Sequence, residues 1–288
     1  MVKKYGELYL QARKALRPMD GDDASSEARE LLAWLSGKTP EKILTDWELY
    51  ATEALEQAMD ACIARMLQGE PLAYVVGSAS FCGLTLRVTP DVLIPRDDTM
   101  AVTELALEAL RTIPAPQRVL DLCTGSGCIG LALASRYPQA RATLADISPE
   151  ALKIARENAA SLHLSTRATV FQADARRPAA PFLGKFDLLV SNPPYVTQAE
   201  MEQLPVSVRN YEPSLALCGG EDGLDFYRAI LKNYLSVLKP GGAVCLEFGL
   251  GQQAAVGALL EQTGLHEIVF RKDYHGVLRA VRARVPEE

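Results

Sequence analysis

Residues 119–130 read VLDLCTGSGCIG: an apolar β-type run, then Gly125-x-Gly127-x-x-Gly130, then the apolar opening of a helical pattern. Strand, glycine turn and helix in that order form a nucleotide-binding fingerprint, because glycines permit a tight turn and a close approach of backbone to ligand. About twenty residues further on, RATLAD ends in Asp146, where such folds set an acid against a ribose hydroxyl pair. The competing role for Asp146 is a helix cap before Pro149, for which Ser148 is better placed. The spacing points to a nucleoside at the carboxyl ends of the first two strands and leaves open whether a pyrophosphate follows.

Around this unit, helical stretches at 100–111, 127–136, 149–161, 223–238 and 251–263 alternate with the β-rich runs RVLDL, RATLAD, ATVFQAD, FDLLVSN and AVCLEFG. Such alternation predicts an α/β domain built on a doubly wound, mostly parallel sheet covered on both faces. HEIVFRKD and GVLRAVRA add two more strands, for seven in all. The few residues between them cannot hold a crossover helix, so one strand should be antiparallel.

Upstream, the first 70 residues read as short helices. Tyr5, Leu8 and Leu16 mark a helix ending before Pro18, and DDASSEARELLAWLSG opens on capping residues and stops at Gly37. Thr39-Pro40 and Thr52 look like further helix starts. AYVVGSASFCGLTLRVT reads as a hairpin. The expected organisation is a helical partner-recognition domain over 1–70, a β-hairpin linker over 71–92 and a catalytic domain over 93–288.

Acidic residues outnumber basic ones, 36 to 30, so no global field draws the chain to nucleic acid. No apolar run approaches the roughly 20 residues needed to cross a bilayer, and MVKKYGELYL lacks a signal-peptide core, so a cytoplasmic protein is expected. The six cysteines form no CxxC pair and the three histidines are not at ligand spacing; reduced thiols and no metal are expected.

The fourth strand ends in SNPPYV, residues 191–196, at the edge where an open α/β sheet binds its ligand. A planar –NH2 group needs two acceptors, and the Asn192 side chain and the Pro193 carbonyl supply them. Pro193 and Pro194 hold φ near −65° and donate no competing N–H, while Tyr195 offers a flat face for stacking. A proline-stiffened turn would explain the same residues taken alone. Asp121, just ahead of the glycines, can face a cationic amino group, as in S-adenosylmethionine, which has an ammonium and no phosphate. At a third strand end Asp174 and Ala175 lie within reach of adenine; Asp174 either accepts from the adenine amino group or is solvated.

With these residues in view, the chain resembles class I S-adenosylmethionine-dependent methyltransferases bearing an (Asn/Asp)-Pro-Pro-(Tyr/Phe) motif, and more narrowly the release factor glutamine N5-methyltransferases. The likeness runs through VLIPR (92–96), DLCTGSG (121–127), SNPPYV, EPSLALCGGEDGLDFYRAI (212–230), LKPGG and LEFG. It implies methyl transfer onto the glutamine of the Gly-Gly-Gln loop of class 1 peptide-chain release factors, leaving S-adenosylhomocysteine. It further implies that Thr124, Gly125, Ser126 and Gly127 approach the methionine portion of the cofactor, Asp146 the ribose, and Asp174 and Ala175 the adenine, with Asp121, Cys123 and Ile147 also cofactor-binding. Asn192 borders the cofactor, and Asn192, Pro193, Pro194 and Tyr195 bind the target glutamine, with Asn192, Pro193 and Tyr195 catalytic. The chain departs from the family where IPR continues as Asp97-Asp98-Thr99-Met100 instead of Pro-Glu-Thr-Glu, and at Cys123, where glycine is usual.

Rival readings are a ribosomal-protein glutamine or an exocyclic base amine as acceptor, a non-catalytic nucleotide-binding module, and a dehydrogenase. The acidic balance and the lack of a large DNA-reading insert count against the base, the NPPY run against the module, and the lack of a catalytic His or Tyr–Lys pair against the dehydrogenase.

Overall fold

The computed structural model describes residues 2–21 and 23–287, which fall into two compact units. One runs to Gly77 and takes in Val206–Tyr211; the other holds Ser78–Pro205 and the chain from Glu212 onward.

The smaller unit is helical: α1 (Tyr5–Asp20), α2 (Ala24–Ser36), α3 (Pro40–Thr45), α4 (Glu53–Met66), α5 (Leu72–Val76) and the later single turn α9 (Val206–Arg209). Leu8, Leu16, Leu31, Leu32, Ile43 and Met59 recur at helical spacing and fill its core. The threonines cap as expected: Thr39 Oγ1 accepts from Lys42 N at 3.2 Å and Thr52 Oγ1 from Leu55 N at 3.1 Å. Two expectations fail here. Helix α1 does not stop before Pro18 but carries it in its last turn, giving up one backbone hydrogen bond, and ends at Gly21, whose N–H reaches Arg17 O at 3.1 Å. Residues 72–76 are helical, not the first strand of a hairpin; a short apolar run such as LAYVV suits either state, and the Pro71 carbonyl, accepting from Tyr74 and Val75, decides it. Asp22, part of the expected α2 cap, lies outside the described residues.

The hairpin proper is β1 (Ser78–Phe81) and β2 (Leu84–Arg87). It packs within the larger unit through Phe81 and Leu86. That unit continues with α6 (Met100–Thr112), β3 (Arg118–Leu122), α7 (Cys128–Arg136), β4 (Arg141–Asp146), α8 (Pro149–Ser161), β5 (Ala168–Gln172), β6 (Phe186–Ser191), α10 (Asp225–Tyr234), β7 (Leu238–Glu247), α11 (Gln253–Gln262), β8 (His266–Lys272) and β9 (Leu278–Arg284). The seven-stranded sheet has the order β5-β4-β3-β6-β7-β9-β8, and β9 runs antiparallel to both of its neighbours. Alternate residues sort to opposite faces, both of them buried. Leu120, Leu122 and Leu189 meet α10 and α11 through Tyr227, Ile230 and Val256, while Val119, Leu188 and Val190 meet α6 and α7 through Leu105 and Leu133. From β3 the chain winds to one side through β4 and β5, then returns to place β6 on the other side of β3. That reversal opens a crevice between the ends of β3 and β6, where Leu122 pairs with Ser191.

Candidate active site

On the β3 side the crevice is formed by the glycine turn. Cys123 at φ +60° and Gly125 at φ +54° take left-handed backbone, so glycine would be the unstrained choice at 123, and the Cys123 side chain packs against the core. Gly130 has a different reason: a Cβ there would lie 2.3 Å from Leu144 Cδ2 and 2.9 Å from Asp121 Oδ2. Its absence lets the fully buried Asp121 carboxyl sit beneath the turn, accepting from Gly130 N at 2.8 Å and Thr124 Oγ1 at 2.6 Å. Burial pushes that carboxyl up to about 7, against these two hydrogen bonds. At the next strand end, Asp146 accepts from Gly125 N at 2.9 Å and Ser148 N at 3.0 Å, one bond to each oxygen. Each oxygen keeps a lone pair for a hydroxyl, and burial raises this carboxyl too. Ser148, as expected, caps α8, accepting from Ala151 N at 3.0 Å.

On the β6 side stands the NPPY turn. Asn192 Nδ2 donates to Thr99 Oγ1 at 3.2 Å. Tyr195 is half-buried, and its hydroxyl donates to Glu247 Oε1 at 3.3 Å. The turn is gripped from behind by the segment after Glu212. Val196 N donates to Leu217 O and Gly219 N to Val196 O, and a Cβ on Gly219 would lie 2.7 Å from both Pro194 O and Tyr195 Cα. Gln252 donates to Tyr195 O at 3.0 Å and accepts from Gly249 N at 2.9 Å. Glu212 itself is buried, accepts from Ile94 N at 3.1 Å and pairs with Arg96. The VLIPR and EPSLAL segments are therefore two halves of one brace, tied across 116 residues of sequence.

Between these walls lies a cavity. Cys123, Thr124, Gly125, Ser126, Asp146, Ile147, Asp174, Ala175, Asn192 and Pro194 line it, with Val92, Leu93, Pro95, Leu215 and Phe226 as apolar cover. Four expected site residues do not line it. Asp121 turns its carboxyl into the glycine turn instead of toward an ammonium group, and Gly127 serves the entry to α7. The Pro193 side chain is buried, and Tyr195 is not an exposed stacking face, because its ring packs beside Gly249 and its hydroxyl reaches inward to Glu247. Asp174 lines the cavity with its carboxylate paired to Arg176, Nε to Oδ1 at 3.1 Å. Sequence reasoning missed Thr99, Glu247, Gln252 and the Arg96–Glu212 pair. The quoted VLIPR, EPSLAL and LEFG runs were the signal for most of them; contacts this distant in the chain carry no spacing rule.

Residues 7–77 match the PrmC N-terminal domain, and residues 96–207 match the methyltransferase small domain. A protein of Geobacter sulfurreducens named release factor glutamine methyltransferase is 39% identical over 282 residues, 89% of this chain and 96% of that protein. One of Moorella thermoacetica with the same name is 43% identical over 241 residues, covering 83% of each chain. The crystal structure of a methyltransferase from Pyrococcus furiosus superposes with a TM-score of 0.52 at 18% identity, over 77% of this chain and 97% of that one, a likeness of fold.

Proposed function

Since this chain belongs to the release factor glutamine methyltransferases, we propose that it transfers the methyl group of S-adenosyl-L-methionine to the side-chain nitrogen, N5, of the Gly-Gly-Gln glutamine of class 1 peptide-chain release factors. The cavity fits that cofactor better than a dinucleotide. Arg176 is the only cation among its described lining residues, and it is already paired with Asp174, so no free cationic side chain there answers a pyrophosphate. Asp146 keeps acceptor capacity for a ribose, Thr124 to Ser126 border the methionine portion, Ile147 and Ala175 flank the base, and Gly127 and Asp121 hold the turn from behind. When bound, S-adenosylmethionine supplies an electrophilic methyl group on a sulfonium whose leaving group is a neutral thioether.

The acceptor is a carboxamide, whose nitrogen lone pair is delocalised and weakly nucleophilic. The protein's task is to hold that nitrogen in line and favour the positive charge that grows on it. Asn192 Oδ1 and the Pro193 carbonyl are the two acceptors assigned to its N–H groups, Pro194 stiffens the turn, and Tyr195 supports it from behind. The observation that carries this reading is the Asn192–Thr99 hydrogen bond at the β3/β6 crevice. It uses the Asn192 donor, which leaves the acceptor for substrate. The helical residues 1–70 are assigned to recognition of the release factor, residues 93–288 to catalysis, and the cytoplasm is the proposed place of work.

Incubation with methyl-labelled cofactor and, in parallel, a release factor, ribosomal proteins, DNA and RNA tests the assignment, with mass mapping of the product. Label on the Gly-Gly-Gln glutamine is expected. Label confined to nucleic acid or ribosomal protein would refute it.

A further inference from the structure

Gln252 occupies the N-cap of α11, where a short oxygen-bearing side chain would cap the helix, yet its own side chain makes no cap bond. Its carboxamide reaches three other segments instead. Nε2 donates to Tyr195 O at 3.0 Å and to Gly223 O at 3.4 Å, while Oε1 accepts from Gly249 N at 2.9 Å. Two glycines make room for it. A Cβ on Gly223 would lie 2.4 Å from both Gln252 Nε2 and Tyr195 O, and one on Gly249 would lie 3.1 Å from Gln252 Oε1 and 3.0 Å from Tyr195 Cδ2. Gln252 does not line the cavity, so it reaches the reaction only through the turn it holds. Building on the proposed function, we infer that Gln252 is a positioning residue: it fixes the far end of the NPPY turn and so aims the Asn192 and Pro193 acceptors at the substrate amide.

The prolines at 193 and 194 restrict φ but leave ψ to be set by other contacts, and neither has an N–H with which to tie the turn down. The turn is therefore only as fixed as its two ends. At the near end, Ser191 is held in the sheet between Leu122 and Leu246. At the far end lies the Tyr195–Val196 peptide, a rigid plane. Gln252 holds its carbonyl at 3.0 Å, and Leu217 O holds its N–H at 2.9 Å. With both sides of that plane tied, the two proline ψ angles cannot drift, and the Pro193 carbonyl keeps one direction.

The three contacts require a carboxamide. Tyr195 O and Gly223 O can only accept and Gly249 N can only donate, so one side chain must present donors at one atom and an acceptor at the next. Backbone groups of invariant polarity thus settle which way the Gln252 amide faces. Ionised glutamate has the same shape and keeps the Gly249 bond, but it sets a second acceptor against two carbonyls. Methionine keeps the bulk and none of the bonds.

The test uses the full chain with saturating S-adenosylmethionine and a release factor as acceptor. It compares Gln252→Met, Gln252→Glu and, one residue further along α11, Gln253→Met with wild type. Misplacing a reacting group by about 1 Å can cost roughly a hundredfold in rate, so both Gln252 variants should lower kcat by about tenfold or more. Acceptor KM and cofactor Kd should stay within about twofold of wild type, the pattern of an interaction used in the transition state, and Gln253→Met should match wild type throughout. A wild-type kcat in either Gln252 variant, a loss seen in acceptor KM alone, or an equal loss in Gln253→Met would overturn the inference. Where Gln252→Met does not fold, Gln252→Glu, which retains the Gly249 bond, carries the comparison. Paired crystal structures of wild type and the Gln252 variant with S-adenosylhomocysteine give a readout that needs no acceptor. The Pro193 carbonyl should move by about 1 Å while β6 stays in place; coincident carbonyls would overturn the inference. A wild-type chain that labels no release factor removes the proposed acceptor instead, and the positioning role then stands or falls on these structures.

Discussion

In the proposed reaction most of the chemistry converges on Asn192, which donates to Thr99 and lines the cavity. Asn192→Ala removes the acceptor proposed for the substrate amide. Loss of one preorganised hydrogen-bonding group at a reacting centre typically costs about 3 kcal/mol of transition-state stabilisation, so kcat should fall by roughly a hundredfold with cofactor affinity retained. Turnover and cofactor calorimetry on the same preparation check this. Glu247 carries a stability signature as well. Its folded-state value of about 7 lies above its ordinary 4.5, so between those values the folded chain binds more protons than the unfolded one, and folding stability contributed by this group declines as pH rises. Glu247→Gln lacks the decline. Relative to wild type, the variant should therefore gain stability between pH 5 and pH 8, by up to roughly 3 kcal/mol; denaturant melts at both pH values measure it. Asp121, raised to about 7 by burial, adds a decline of the same sign.

At the scale of elements, the NPPY turn owes its shape to a neighbour as much as to its prolines. The parallel bridge between Val196 and Cys218, with Gly219 pressed against Pro194 and Tyr195, makes residues 217–219 a strap across the back of the turn. Gly219→Ala would bring a methyl group to 2.7 Å from two backbone atoms that cannot swing aside. It should cost about 1–3 kcal/mol of stability, and tenfold or more in kcat through displacement of Asn192, read from thermal melts and turnover together. Likewise, Asn158 on α8 accepts from Arg87 N at 2.7 Å and donates to Ser126 O at 2.9 Å, so the hairpin helps hold the glycine turn. As sequence, β1 and β2 read only as a linker, because side-chain bonds across 71 residues leave no local periodicity.

Across the whole molecule, the helical unit carries the exposed apolar side chains Leu44, Leu49 and Tyr50 on one short stretch, each more than half exposed. If the helical unit binds the release factor as proposed, these side chains offer it an apolar contact. Replacing the three together by serine should raise the KM for a release factor about fivefold or more while leaving cofactor Kd unchanged, as steady-state kinetics and calorimetry would report. The chain's local chemistry determined a good deal unaided. Strand, glycine turn and helix around 119–130, the alternation that follows, Asp146 at the second strand end and Asn192 at the fourth are short-range patterns. Each is set by backbone sterics and by which faces must leave water. Tertiary structure alone decided that Asp121 folds beneath the turn, that Asp174 is paired with Arg176, that residues 206–211 join the helical unit, and that Thr99 meets Asn192 and Glu247 meets Tyr195. The first two are local, yet burial and hydrogen-bond demand select the partner; the others rest on contacts across 52 to 143 residues of chain, where periodicity is silent.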